Sequence, residues 1–428
     1  MSQKTRYFLI ALGFLAFLIL APTLVLYVRG IAYDFSTKSF VKTGILAART
    51  DPKTTKILLN GKLKKTGSGD IKFLVPGDYQ VSIQKPGYES WEKRLTVKAG
   101  EVTWVDPNFG NLNLFFKSPE AKDLAGEILD FDSQNGQLVY LTKNSLVIAE
   151  NNDLAHERVF NLPKSANKIL AKDKNGKNFI LSDSKTLAPG LLVFNSDSGN
   201  FSDISALFTS LPQIQFGDKG EMYALSQGAL YEINTANKTK VSLFLGVKAF
   251  YWQSGSLYFV QATGLMVSQS PFSATQTLLK NLPNFGQGDL LVTFEKQIFL
   301  RADGAVYALG QTAAALADRV SDWQLNQQDS NFTLLHSGEL DYYDTLSHNL
   351  NFVTRSSQTV LGPVVKTALG WSFFIKDNQL TAIELDTRDN QNQYVFYQGK
   401  NLQKFSVDSD GRNVLVLDDG ELKSLVIR

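Results

Sequence analysis

The sequence contains no cysteine and only three histidines among its 428 residues. The first absence excludes disulfides, thiol catalysis and cysteine-ligated metals. It does not by itself assign a compartment. His156, His336 and His348 are scattered, none within four residues of another, so neither H-E-x-x-H nor H-x-H metal spacing occurs. They read as loop or hairpin histidines. There is no G-x-S-x-G nucleophile elbow and no phosphate-binding Walker loop. Gly286-Gln287-Gly288 falls between strand-like runs and reads as a plain loop. One-sided charge is missing as well: 43 basic residues face 41 acidic ones, net +2. With no basic run and no aromatic–basic ladder, nucleic acid is not an expected partner.

The acidic motifs are sparse. Asp408-Ser409-Asp410-Gly411 opens like a calcium loop, but the twelfth position is Asp419, where such a loop needs Glu. A β-turn is the reading, and likewise for Asn195-Ser196-Asp197-Ser198-Gly199-Asn200. Asp418-Asp419 and Glu339/Asp341 would suit glycoside hydrolysis only if two carboxyls faced each other about 5–10 Å apart across a cleft. The pattern places most carboxylates on hairpin tips or solvent-facing strand positions. No catalytic residue, metal or cofactor is expected.

What is present is a repeat. A two-residue turn, often ending in Gly, precedes a short alternating apolar strand about every 40 residues. The second turn residue falls at Asn144, Gly190, Gly228, Gly264, Gly304, Gly338, Asn378 and Gly420, with steps of 34 to 46. Asn, Asp and Gly there supply the positive φ that a tight hairpin needs. Upstream turns recur at Asp132–Gly136, Asp173–Gly176, Asp218–Gly220 and Asp408–Gly411. Each unit then reads strand, turn, strand, turn, strand, with room for a fourth. This is the signature of a β-propeller, eight blades favoured over seven, within 109–428. The last unit lacks a fourth strand, and the strand-like stretch 111–117 is expected to supply it, because an open ring would leave two unpaired edges. NGQLVYL and DGRNVLVL loosely resemble the TolB-like and WD40-like blade pattern, without its Gly-His or Trp-Asp pairs. The aromatic clusters 250–252, 371–374 and 394–397 read as inter-blade core, with Trp252 and Trp323 as alternatives for a ligand-stacking ring face.

Tyr7 to Val28 is a run of 22 uncharged residues, long enough for a membrane helix and lacking a small-residue cleavage site. Lys4 and Arg6 precede it and Arg29 follows. The balance favours an N-in, single-pass anchor at 7–28 behind a cytoplasmic tail of 1–6, with the bulk of the chain extracytoplasmic. A juxtamembrane linker spans 29–42.

Residues 43–108 hold six short strand-like pieces, a small β-sandwich. Within them, LVPGDYQVSIQKPGYESWEKRLTVKAGE closely resembles the PEGA domain family: Pro76, Gly77, Tyr79, Gly87 and Tyr88 match its Pro-Gly turn and Gly-Tyr pair. Pro52-Lys53-Thr54-Thr55 stands where the naming tetrapeptide belongs, and the usual Thr-Pro pair is absent. The resemblance implies an extracytoplasmic scaffold of surface-layer or envelope proteins and implies no catalysis.

The expected architecture is all-β: one transmembrane helix, a PEGA-like sandwich and a propeller head. The expected function is a non-enzymatic, membrane-anchored envelope protein that displays the propeller to a protein or envelope polysaccharide. The alternatives are a glycoside hydrolase or lyase on the propeller face, and an envelope assembly factor.

Overall fold

The computed structural model describes residues 3–428 apart from 36, 109, 135, 151–155, 184–189, 270–271, 273, 327–329 and 359. Helix α1 (Gln3–Val28) is apolar all round and carries Pro22 inside it. Its 24-residue stretch Thr5–Val28 is long and apolar enough to cross a membrane, and none of it is buried against the rest of the protein. Gly30, at φ +67°, ends it. A hairpin of β1 (Ile31–Asp34) and β2 (Ser39–Lys42) follows.

The next unit is two facing sheets. One contains β3 (Gly44–Ala48), β7 (Gly69–Leu74) and β10 (Val102–Trp104). The other orders β6 (Lys62–Thr66), β5 (Lys56–Leu59), β8 (Gly77–Gln84) and β9 (Trp91–Val97). Strand β9 alternates strictly, with Trp91, Lys93, Leu95 and Val97 inward and the residues between them outward. This is the period-two pattern of a half-buried strand.

The remainder is a ring of eight four-stranded antiparallel sheets among the described residues. Blades one to seven span 128–161, 168–203, 213–245, 249–279, 288–317, 320–355 and 361–398, and blade eight is built on 402–426. Adjacent residues of one strand face opposite neighbours. Phe179 packs toward blade one and Ile180 toward blade three; Leu290 packs toward blade four and Leu291 toward blade six. Eight apolar clusters fill the eight seams, and the one joining Ile128 and Phe131 to Leu415, Leu417 and Leu422 closes the ring.

The repeated turn is real chemistry. Gln227-Gly228, Asp303-Gly304, Ser337-Gly338, Asp377-Asn378 and Asp419-Gly420 have positive φ at both residues, the geometry of a type I′ hairpin. Two copies shift. Around Gly264 the turn is Ala262-Thr263, and Gly264, paired with Gln261, begins the strand; a Cβ there would lie 2.1 Å from the Leu279 carbonyl oxygen, so only glycine fits. Lys143-Asn144 belongs to a four-residue loop between Leu141 and Leu146. Pro189 and Asn135 lie outside the described residues.

The closing strand is not 111–117. Strand β12 (Ala121–Ala125) pairs with Glu421–Val426 and completes blade eight. Lys423 Nζ reaches Asp123 Oδ1 at 2.6 Å across this pair. The physical reason is polarity. A fourth strand is mostly exposed, as in Glu157–Asn161, and AKDLA suits that place. By contrast Leu112, Asn113, Leu114 and Phe115 are all buried. That segment is a strap between sandwich and ring. Its short strand β11 (Leu112–Asn113) pairs in parallel with β4 (Thr50–Asp51), and Phe116 N–H donates to the Ile427 carbonyl at 2.9 Å.

Candidate functional site: the seat of the sandwich and the faces of the ring

Within each blade, the turns joining strands one–two and three–four lie at one rim. The I′ turns and inter-blade connections lie at the other. The sandwich sits on the first rim, at blades seven and eight. Phe115 is fully buried in the seat, edge-on to Trp371 with centroids 5.1 Å apart and near Phe396 at 5.1 Å. Burying one such ring contributes about 1.5–3 kcal/mol.

Beside this apolar contact lies a buried ionic cluster. Lys93, whose side chain is fully shielded, places Nζ 3.1 Å from Glu384 Oε2 and 3.3 Å from Asp386 Oδ2, and donates to the Asp386 carbonyl at 2.6 Å. Trp91 Nε1 donates to Glu384 Oε1 at 2.8 Å. Asn392 fills the remaining capacity of Glu384 through Nδ2, at 2.7 Å. Arg388 grips Asp386 and donates from its two terminal nitrogens to the carbonyls of Trp104 and Val105, both at 2.7 Å. Two cations balance two carboxylates, and every group has a partner, as burial of charge requires. Burial alone would raise the Asp386 carboxyl; the Arg388 hydrogen bonds and the Lys93 and Arg388 charges outweigh it and hold the group below the usual range. Lys93 carried a sequence signal. Strand parity puts it on the inward face with Trp91 and Leu95.

Two cavities adjoin this rim. One, of about 400 Å³, lies between Asp106, Asn108 and Leu112 of the sandwich side and Tyr342, Asp344 and Thr367–Trp371 of the ring. Its carboxylates are engaged: Asp344 accepts from Leu346 N–H and Ser347 Oγ, and Asp106 from Asn108 N–H. The second, of about 500 Å³, is the central channel, lined by first strands of the blades with Asp132, Lys172, Gln324, Lys366, Lys404 and Ser406. Lys172 pairs with Asp132 at 2.9 Å and Lys404 with Asp130 at 2.8 Å. The channel wall mixes these polar and charged groups with apolar ones, half-buried Tyr251 among them.

Trp252 is not on a ring face. It is buried and stacked on Tyr223 at 4.9 Å and 13°. Trp323 is half-buried under Arg301 and edge-on to Phe332. Asp418 is buried between blades seven and eight: Oδ1 accepts from the Lys400 and Asn401 N–H groups of the connection and Oδ2 from Tyr397 of blade seven. Burial first, then the Asp418 hydrogen bond, pushes the Tyr397 phenol up to about 12. Asp408 accepts from Arg412 N–H at 2.8 Å, and from Asn413 N–H and Nδ2 at 3.0 and 2.7 Å. Asp173 does the same toward Lys177 and Asn178 in blade two, so Asp-x-x-Gly-x-Asn is a turn motif.

Sequence reasoning missed one cluster. The Ser337-Gly338 turn sets His336 opposite Glu339 and brings His336 Nε2 to 2.8 Å from Asp341 Oδ2. Among the described residues these three are the one group with metal-ligand types gathered within 4.8 Å. Arg355 already occupies Glu339, and a guanidinium there opposes a second cation.

The family-matching residues are structural. Gly77, at φ +152°, follows Pro76 into β8, and Tyr79 donates to the Val75 carbonyl at 2.8 Å. Gly87, at φ +82°, lets Tyr88 turn onto Phe116, centroids 4.7 Å apart, which holds the strap. Arg6 and Arg29 are exposed at the two ends of α1; the Lys4 side chain lies outside the described residues.

Comparison with known proteins agrees with this architecture. The family model for the PEGA domain matches residues 43–113. No curated protein matches the chain. Among solved structures, the C-terminal WD40 domain of Sif2 aligns at 11% identity over 73% of this chain and 99% of that one, with TM-score 0.51. The Dos1 propeller aligns at 9% identity over 72% and 94%, also with TM-score 0.51. Identities this low speak to the fold alone, a propeller, and the PEGA domain rests on the family model.

Proposed function

We propose that this protein is a non-enzymatic, single-pass membrane protein of the cell envelope whose propeller is a binding or scaffolding platform for a protein or an envelope polymer. The observation that carries the reading is the buried seat of Lys93, Glu384, Asp386 and Arg388. A head held this way cannot swivel on its stalk, and its second rim is left open. That rim carries short rigid I′ turns, a suitable base for recognition. The apolar, protein-free surface of α1 supports the anchor, and Lys4 and Arg6 ahead of it support an inside N-terminus. The carboxylates of the seated rim, engaged by backbone and side-chain donors, support binding over turnover.

The test places a photo-crosslinking residue at Asp303 or Asp419 on the open rim, and at Asn237 on the seated rim, in cells making the full chain. Adducts that form from Asp303 and Asp419 and not from Asn237 support the platform. Hydrolysis of an envelope polysaccharide by the purified protein, abolished by Asp341→Asn or Glu339→Gln alone, would replace it with an enzyme. Protease added to intact cells should remove everything after Arg29; full protection would reverse the orientation.

A further inference from the structure

The hairpin after α1 leaves and returns at one point. The Gly30 carbonyl accepts both the N–H and the hydroxyl of Thr43, each at 2.7 Å, and closes the excursion at its base. Its register sets Tyr33 opposite Phe40, and alternation puts Phe35 on the same face. The three rings touch, with Tyr33 5.1 Å from Phe35 and 5.3 Å from Phe40. Yet they face outward, with 41%, 85% and 63% of their surface exposed. The opposite face is turned to the protein: Asp34 is buried and accepts the Thr37 hydroxyl at 2.8 Å. Lys38 is exposed at the turn beside the rings, whereas the Lys42 side chain runs over Gly100.

Position decides what covers this patch. Tyr27, in the last turn of α1, stacks on Phe73 of the sandwich at 4.7 Å, which ties the helix end to the hairpin's neighbourhood. Five steps of ~3.3 Å each from Gly30 keep Phe35 within about 17 Å of the helix end. A bilayer spanned by α1 puts its headgroup layer at that distance, where aromatic rings partition and lysines meet phosphates.

We propose that the hairpin 31–42 is a second membrane contact: Tyr33, Phe35 and Phe40 enter the boundary between headgroups and acyl chains of the leaflet where α1 emerges, and Lys38 faces lipid phosphates. The proposal rests on the anchored reading of α1. One helix leaves the head free to spin and tilt; a second contact to one side of it fixes the direction in which the ring faces.

The chain has no cysteine, so single nitroxide labels are unambiguous. Full-length Thr37→Cys, Leu18→Cys and Asp303→Cys are labelled in vesicles of phosphatidylcholine and phosphatidylglycerol. Collision with oxygen is compared with collision with a polar nickel reagent. We expect the Leu18 label in the acyl core, the Asp303 label in water, and the Thr37 label several-fold more shielded from nickel than the Asp303 label. Adding Phe35→Ser and Phe40→Ser should return the Thr37 label to water without moving the Leu18 label. A Leu18 label in lipid with a Thr37 label as wet as that at Asp303 overturns the hairpin contact and leaves the anchor standing. A wet Leu18 label overturns the anchor itself.

Discussion

Trp91 and Glu384 stand 293 residues apart in the chain and share a hydrogen bond of 2.8 Å, sealed from water. One belongs to the sandwich and the other to blade seven. Linked domains ordinarily move relative to each other unless their interface is large and apolar. Here apolar area and a fully partnered ionic cluster act together, and the stalk and the head form one body.

Lys93→Met should destabilise the protein by about 3–5 kcal/mol, the usual cost of leaving buried charge uncompensated. Chemical denaturation of the full chain in detergent checks this. Adding Glu384→Gln should recover most of the loss, because Arg388 still balances Asp386 and no uncompensated carboxylate is left.

Acid should loosen the joint. The Asp386 carboxyl is depressed in the folded protein, so the folded state holds its proton less tightly than the unfolded chain. Its contribution is complete above the unfolded value of about 3.9 and fades as pH falls through the lower folded value. The unfolding midpoint should therefore drop on acidification below about pH 4, and Asp386→Asn should flatten that slope.

Ring closure by β12 has a covalent test. Lys122 and Ser424 are direct partners on neighbouring strands. The double variant Lys122→Cys, Ser424→Cys should form a disulfide on oxidation and gain about 2–4 kcal/mol. Two free thiols after oxidation would mean that another segment lies against the last strand.

Two glycines with similar backbone angles should respond differently. At Gly228, φ +75°, an added Cβ has its nearest neighbour at 3.9 Å. At Gly338, φ +79°, it would lie 2.6 Å from the Ser356 carbonyl oxygen. Gly228→Ala should cost about 1–2 kcal/mol from left-handed strain alone. Gly338→Ala should cost clearly more, as read from urea midpoints.

What was legible in the sequence follows the range of the physics. Type I′ turns are written in two adjacent residues, so Asp303-Gly304 and Ser337-Gly338 announce their hairpins. Alternation within a strand announces the blades. The closing strand is different, because AKDLA has no marked period and is selected by a partner 300 residues away. NLNLFFK is strand-like and lies just ahead of the first unit, which suggests that role, but its centre from Leu112 to Phe115 suits a buried strap. The ionic seat was half legible: parity turns Lys93 inward, but nothing local names Glu384 or Asp386 as its partners. His336 and Asp341 could have been joined from the Ser337-Gly338 register alone.

Blade eight has a temporal consequence. Its outer strand is made early and its other three last; Asp123 and Lys423 are separated by 300 residues. At about 5–20 residues per second, synthesis leaves β12 waiting roughly 15–60 s for its partner. Over the same interval the sandwich face around Trp91 and Phe115 stays bare, because Trp371, Phe373 and Phe396 have not yet emerged. The nascent chain therefore carries an open strand edge and an uncovered aromatic surface until almost the end of translation.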